Sequence, residues 1–207
     1  RQMCIRDRVH APCGGNGTCK KCLVTVEGLG EVLSCQTQCK DGMCVTVAEE
    51  QKSAIAENGN CYLYPADAGE GLLAACDIGT TTVVCHLLDG ATGVRLCTVS
   101  APNAQRSFGA DVISRIQASV DSGLDKLQSA IVDQINGMLV QLKQKAGRTE
   151  DIRRLAVAGN TVMSHLFCGL SPKSIGVAPF TPLSLFGESY DAKQIGIEGC
   201  ETVYVLS

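Results

Sequence analysis

The chain has 207 residues, of which 45% are hydrophobic and 19% are charged, and its formal net charge is −3. This length and apolar content are sufficient for one large or two small globular domains. The acidic balance argues against nucleic acid as a main partner, because no basic run is large enough to cover a phosphate backbone.

The 13 cysteines bear on the cellular compartment. Their number is odd and several lie inside apolar runs, which does not suit the paired disulfides of a secreted protein. We interpret Cys76, Cys85, Cys97 and Cys168 as small core residues. The sequence contains no apolar stretch of signal-peptide or transmembrane length. We therefore expect a cytoplasmic protein of a reducing cell, with no membrane partner.

Four cysteines near the start have the spacing of a metal centre. They are separated as Cys-x5-Cys-x2-Cys, with a more distant fourth residue, and are Cys13, Cys19, Cys22 and Cys35. The first loop is rich in glycine, which lets backbone amides turn toward the sulfurs and keeps side chains away from them. This pattern is typical of a loop that wraps a [2Fe-2S] cluster.

Two other interpretations of these cysteines remain open on spacing alone. The pair Cys19 and Cys22, with Cys35 and Cys39, also matches the two knuckles of a structural zinc ribbon. Buried thiols without a metal are the third interpretation. A zinc ribbon leaves Cys13 without a role, so the spacing favours iron and sulfur over zinc.

Hydrophobic periodicity predicts the remaining elements in chain order. Short strand patterns lie at residues 22–27 and 44–47, and the polar, irregular stretch of residues 48–71 predicts a connector. Residues 72–76, 83–88 and 94–100 predict an antiparallel meander. Residues 110–120, 124–145 and 160–167 predict helices, residues 155–159 and 201–206 strands, and residues 171–185 a loop.

The turn after the first meander strand is a candidate phosphate site. Its candidate ligands are Asp77, Gly79, Thr80, Thr81 and Thr82. The glycine permits close approach, and successive amides and hydroxyls can surround a phosphate, while the carboxylate can hold a hydrated Mg²⁺. A turn with ordinary polar capping is the alternative. The lysine of a Walker loop is missing from this turn.

Other polar residues receive structural interpretations. Asn160 is expected to cap the helix that it precedes, although it also lies where a nucleotide cleft could form. Asp111 and Arg115 are one helical turn apart, and a surface ion pair is expected between them. The three histidines are scattered without ligand spacing and are assigned no function.

Several motifs carry a family resemblance. The runs Ala-Pro-Cys-Gly-Gly-Asn-Gly-Thr-Cys-Lys-Lys-Cys and Leu-Ser-Cys-Gln-Thr resemble the cluster loop of a [2Fe-2S] ferredoxin domain. The run Leu-Leu-Ala-Ala-Cys-Asp-Ile-Gly-Thr-Thr-Thr-Val-Val is similar to the first phosphate motif of actin, sugar kinases and heat-shock ATPases. Phe-Gly-Ala-Asp-Val-Ile-Ser-Arg-Ile, Val-Ala-Gly-Asn-Thr-Val-Met-Ser-His-Leu and Gly-Val-Ala-Pro-Phe-Thr-Pro resemble one narrower family, the reductive activators of corrinoid proteins.

This resemblance implies an α/β (α+β) fold class with two modules. The first is a truncated β-grasp ferredoxin-like module, and the second is one ribonuclease-H-like lobe of an actin-like ATPase. The expected domains are residues 9–47 for the ferredoxin-like module, residues 48–71 for the connector and residues 72–207 for the first ATPase lobe. Residues 1–8 are expected to lie outside the module, and the C-terminal lobe is expected to be absent.

The resemblance also implies a function. It is ATP-dependent transfer of one electron to a Co(II) corrinoid on a methyltransferase partner, which restores Co(I). The four spaced cysteines would hold the [2Fe-2S] cluster, the Asp77 turn would bind ATP with Mg²⁺, and a low-potential electron donor would recharge the cluster. A homodimer is left open, and no catalytic side chain is assigned.

Two other functions are kept as alternatives. One is a simple [2Fe-2S] ferredoxin-type carrier without ATP coupling, and the other is a zinc-binding interaction module. Since the second lobe is expected to be absent, we expect this chain to bind nucleotide weakly or not at all and to be inactive as a fragment.

Overall fold

The computed structural model describes residues 17 and 20, residues 22–47 and residues 69–207. The chain divides into two compact units, residues 1–54 and residues 55–207. The predicted ligands Cys13 and Cys19, residues 1–8 and most of the predicted connector lie outside the described residues. Within the described part, no helix combines the length and apolar character that crossing a membrane requires.

A small antiparallel sheet forms the described part of the first unit. Strands β1 (Leu23–Val26) and β2 (Gly30–Leu33) make a hairpin, and β3 (Val45–Thr46) pairs with the other edge of β1. Every second residue of β1 is buried, as the pleat of a strand with one covered face requires. A short 3-10 helix, Ser34–Gln36, follows β2 directly.

A six-stranded mixed sheet forms the centre of the second unit, in the order β6-β5-β4-β7-β9-β8. Its strands are β4 (Leu72–Ile78), β5 (Thr82–Asp89), β6 (Arg95–Pro102), β7 (Ile152–Gly159), β8 (Glu188–Asp191) and β9 (Cys200–Val205). Strands β4, β5 and β6 form an antiparallel meander, whereas β4, β7 and β9 run parallel. The carboxyl ends of the parallel strands therefore meet at one edge of the sheet.

The described part of this unit contains four α-helices, which are α1 (Val112–Asp121), α2 (Leu124–Ala146), α3 (Thr161–Phe167) and α4 (Ala192–Ile195). Helix α2 ends at Gly147, whose φ of 65° is the left-handed conformation that glycine adopts without strain. Its apolar stripe, including Leu127, Ile131, Ile135 and Leu142, is fully buried against the sheet. Alternate residues of the central strands complete this core.

The α/β fold class predicted from the sequence is confirmed, and the antiparallel meander is present. The predicted helices are present within one or two residues of their expected ends. Strand β8 and helix α4 were not predicted. The sequence of β8, Glu-Ser-Tyr-Asp, has no alternating apolar pattern, because this edge strand pairs only with β9.

Candidate metal centre and phosphate site

The hairpin of the first unit brings two of the predicted cluster cysteines together. Cys22 immediately precedes β1, and Cys35 follows β2 by two residues. Because Leu23 pairs with Leu33, the start of β1 and the end of β2 lie at the same end of the hairpin. The amide of Ser34 donates to the carbonyl of Cys22 at 2.9 Å and fixes this end. The long spacing between these cysteines is therefore the length of one hairpin.

The two thiols are close enough to bind one metal ion together. Their Sγ atoms are 3.2 Å apart, Cys22 is fully buried and Cys35 is half-buried. Two sulfurs bound to a single tetrahedral metal at about 2.3 Å lie roughly 3.8 Å apart, so a small outward shift suffices. A hydrogen bond from the Cys35 backbone, followed by one from its thiol, lowers the pKa of Cys22. The pKa of Cys35 is raised by its hydrogen bond to Cys22.

Neighbouring residues also fit a sulfur-bound cluster. Gly17 has a φ of 72°, and a Cβ there would lie 3.3 Å from the Gln36 side chain, so this loop passes close to the residue after Cys35. Among the described residues, no third Cys, His, Asp or Glu joins a metal-binding group with the pair, and Cys39 is exposed. Cys39, which the zinc alternative would use as a ligand, is thus more accessible to solvent than Cys22 and Cys35.

The predicted phosphate turn lies at the carboxyl edge of the parallel strands. Ile78 at the end of β4 is paired with Gly159 at the end of β7. Ligands of α/β proteins commonly bind outside this edge of a sheet. Asp77 is exposed there, and it lines an open cleft of about 200 Å³ together with Ala158 and Leu206. A Cβ on Gly79 would lie 2.7 Å from the Thr82 carbonyl oxygen, so this tight turn requires glycine.

Polar groups from later elements hold the turn from behind. The Asn103 Nδ2 atom donates to the Gly79 carbonyl at 2.8 Å, and the Asn103 amide donates to the Thr81 carbonyl at 2.9 Å. Between them, the Arg115 Nη2 atom donates to the Thr80 carbonyl at 2.5 Å. Three consecutive carbonyls of the turn are thus fixed by two buried side chains and one amide.

Asn160 connects the turn to helix α3. Its Oδ1 atom accepts from the Met163 amide at 3.1 Å, which confirms the predicted helix cap. Its Nδ2 atom donates to the Thr80 hydroxyl oxygen at 3.1 Å. Because the hydroxyl oxygen accepts this bond, its hydrogen stays available to a ligand. The cap and the cleft interpretations of Asn160 are therefore compatible.

The predicted surface ion pair between Asp111 and Arg115 is wrong. Arg115 is fully buried and donates to the carbonyls of Gly109 and Thr80. Asp111 instead caps α1 and accepts from the Ser114 amide at 2.7 Å. The spacing rule places two side chains on one helix face, but it does not tell whether that face is exposed or covered by another element.

Asn103 and Arg115 are the site residues that the sequence analysis missed. Asn103 follows a strand and looks like an ordinary turn residue, and Arg115 looks like one half of a surface pair. Both act on a turn that precedes them in the chain by 24 and 35 residues. No local sequence signal reports such long-range contacts.

His165 has a structural role. The ring is fully buried, its Nδ1 atom lies 2.6 Å from the Thr161 carbonyl oxygen, and its Nε2 atom accepts from the amides of Leu183 and Ser184. The Nδ1–H tautomer satisfies all three contacts. Through these bonds the ring fixes the proline-rich loop against α3.

Comparison with known proteins identifies two regions of the chain. Residues 72–207 match the model of the RACo middle region. Residues 1–50 match a 2Fe-2S iron-sulfur cluster binding domain. The match to the RACo middle region begins at Leu72, the first residue of β4, so this family region begins where the large sheet begins.

Two relatives are similar over most of the chain. A corrinoid activation enzyme, RamQ of Eubacterium limosum, is 30% identical over an alignment that covers 81% of this chain and 42% of RamQ. A solved structure of a reductive activator for a corrinoid, iron-sulfur protein is 40% identical with a TM-score of 0.62, covering 66% of this chain and 22% of that one. The chain thus spans less than half the length of either relative. It belongs to the family of corrinoid reductive activators, through its RACo middle region and its 2Fe-2S domain.

Proposed function

We propose that this chain carries the electron-donating and nucleotide-binding parts of an ATP-dependent activator of a corrinoid protein. The activator would donate one electron to a Co(II) corrinoid on a methyltransferase partner, which becomes Co(I), and a low-potential donor would then replace that electron. The names of RamQ and of the similar solved structure, which describe corrinoid activators, support this proposal.

The observation that carries the proposal is the pair of thiols 3.2 Å apart at the end of the hairpin. We infer that Cys22 and Cys35 hold one iron of a [2Fe-2S] cluster and that Cys13 and Cys19 hold the other. When bound, the cluster supplies a one-electron donor. The fully buried Cys22 keeps water away from its side of the site, whereas Cys35 is half-exposed on the side where an electron could leave.

The nucleotide site belongs to the phosphate turn. We infer that the amides and hydroxyls of Thr80, Thr81 and Thr82 contact phosphate oxygens, that Gly79 permits their approach, and that Asp77 holds a hydrated Mg²⁺. The exposed Asp77 carboxylate and the tight turn at Gly79 support this inference.

ATP is expected to assist an unfavourable electron transfer. Each ~59 mV by which the acceptor lies below the donor lowers the equilibrium constant of a one-electron step tenfold. Nucleotide can offset this cost only if it binds one conformation more tightly than another. The turn connects β4 to β5 and contacts α1 and α3, so a bound phosphate would act on several elements at once.

Anaerobic reconstitution followed by metal analysis tests the metal part of the proposal. We expect two irons and two sulfides per chain, with the visible absorption of a [2Fe-2S] centre. Cys22→Ser and Cys35→Ser should each lose the cluster, whereas Cys39→Ser should keep it, because Cys39 is exposed and outside the inferred ligand set. A colourless protein with one zinc per chain would contradict the proposal.

Corrinoid reduction separates the ATP-coupled activator from a simple carrier. Because this chain alone is expected to be inactive, a form extended by the second lobe is reconstituted with its cluster. It is mixed with a chemical reductant and a Co(II) corrinoid protein, with and without MgATP, and Co(I) is followed by its absorption. The proposal expects Co(I) to accumulate only with ATP. Equal reduction with and without ATP would favour the ferredoxin-type carrier.

A further inference from the structure

The phosphate turn is held in a way that determines where its amides point. The carbonyls of Gly79 and Thr80 are both directed into the protein, toward the buried side chains of Asn103 and Arg115. In a trans peptide unit the C=O and the following N–H point in opposite directions. The amides of Thr80 and Thr81 are therefore directed away from the interior, on the side that faces the sheet edge.

Among the described residues, no backbone carbonyl accepts from the Thr80 or Thr81 amide. Two successive amides that point to the same side form a concave donor pair of the kind that binds anions. The Thr80 hydroxyl, fixed by Asn160 at 3.1 Å, adds a third donor beside them.

Arg115 supplies charge as well as a hydrogen bond. Its side chain is fully buried. The Nε atom donates to the Gly109 carbonyl at 3.0 Å, and Nη1 lies 3.1 Å from the Met163 sulfur. Among the described residues, no carboxylate lies within 4 Å of the guanidinium. Asp111 acts on it only from farther away.

Burying the charge of Arg115 is unfavourable, so its position beneath the turn indicates that something compensates the charge there. Desolvation lowers the pKa of Arg115 to about 10, so the group stays charged at neutral pH. A thioether is a weak acceptor and does not compensate a full charge. A buried cation without a paired anion is strongly unfavourable. An anion bound on the other side of the turn would supply the missing compensation.

We propose that Arg115 and Asn103 are positioning residues for a phosphate-bearing ligand. They turn the Thr80 and Thr81 amides toward the ligand, and Arg115 provides positive potential behind the turn. This inference rests on the proposed nucleotide site. Arg115 and Asn103 would make that site bind the phosphate groups of a nucleotide rather than its nucleoside.

Amide chemical shifts of the isotope-labelled chain test the inference. MgATP, magnesium pyrophosphate and adenosine are titrated separately into this chain and into a form extended by the second lobe, while the Thr80 and Thr81 signals are followed by NMR. ATP and pyrophosphate should shift both signals along a binding curve, and adenosine should not. This method also measures weak binding, so a low affinity does not prevent the test.

Substitution of Arg115 distinguishes positioning from a purely structural role. Arg115→Met removes the charge in an apolar pocket, and Arg115→Lys keeps the charge but loses the planar fork. Affinity for MgATP should fall at least about tenfold in Arg115→Met and less in Arg115→Lys. Arg154→Met is the matched control, since Arg154 is exposed on β7, and it should bind as the wild type does.

The possible results distinguish failure of the proposed nucleotide site from failure of the roles proposed for Arg115 and Asn103. If neither the wild-type chain nor its form extended by the second lobe shows a shift with any phosphate ligand, the proposed nucleotide site fails and this inference fails with it. If the wild type binds and Arg115→Met binds equally well, only the inference fails. Should Arg115→Met not fold, the wild type still decides, because its Arg115 Nε–H signal must shift along the same curve as the Thr81 amide.

Discussion

Removing the Asn103 side chain should lower the free energy of unfolding of the second unit, and the size of the decrease should depend on how deeply this side chain is buried. The side chain is 1% exposed, with Nδ2 donating to the Gly79 carbonyl and Oδ1 accepting from the Gln105 amide, both at 2.8 Å. Asn103→Ala leaves both backbone groups without these partners in the interior. Each unsatisfied buried group costs about 1–3 kcal/mol, so we expect a loss of about 3 kcal/mol.

Asn136 provides a matched control, because it also bridges two backbone groups. Its Nδ2 atom donates to the Gly196 carbonyl at 2.9 Å and its Oδ1 atom accepts from the Glu198 amide at 3.0 Å, but it is half-exposed. Water can replace the lost bonds there, so Asn136→Ala should cost about 1 kcal/mol.

Thermal unfolding followed by circular dichroism at the helix band measures this difference, because all four described α-helices lie in the second unit. For a domain of this size, 3 kcal/mol corresponds to a decrease in melting temperature of roughly 6–12 °C, and 1 kcal/mol to roughly 2–4 °C. Equal decreases for Asn103→Ala and Asn136→Ala would refute the reasoning, since burial would then make no difference.

Three further predictions concern the turn, a helix cap and the thiols. Gly79→Ala should weaken MgATP binding measured by NMR at least about tenfold, because its Cβ would lie 2.7 Å from the Thr82 carbonyl oxygen and the turn would have to move; unchanged binding would contradict this. The Ser114 backbone and hydroxyl lower the pKa of Asp111, so its stabilising effect is present above pH ~4 and is lost as the pH falls through the lowered value. Asp111→Asn should keep the cap and lose less stability in acid unfolding curves than the wild type, and parallel curves would refute this. In the folded protein at pH 8, alkylation read by mass spectrometry should label the exposed Cys39 quickly and spare Cys168, whose pKa burial raises to about 12; equal labelling would contradict the burial.

The sequence predicted the elements of the second unit well because their cores repeat regularly. The stripe of α2 and the alternation along β4 and β5 each bury the residues that the periodicity indicates. Of the cysteines interpreted as core residues, Cys76 and Cys85 are fully buried, and Cys97 and Cys168 are partly buried against the same core. Strand β8 was not predicted because it is polar and lies at the edge of the sheet, where its residues show no alternation between buried apolar and exposed polar side chains.

The two candidate sites differ in how far local sequence can describe them. The pair Cys22 and Cys35 is joined by one hairpin, so the glycine turns and the spacing between the cysteines contain the whole geometry. The phosphate turn is also recognisable, but its supports come from residues 24 to 80 positions away, on the loop after β6, on α1 and at the start of α3.

Each of those supporting residues has a satisfactory local explanation, as a turn residue, half of an ion pair or a helix cap. Local rules describe what a side chain can do within its own element, but tertiary packing decides whether it does that or something else. Arg115 shows the difference most clearly, because the same spacing that places it near Asp111 also points it into the core, where a carbonyl of the turn is the available acceptor. A buried arginine that donates to two carbonyls and a sulfur is therefore a better guide to an anion site than the threonine-rich turn alone.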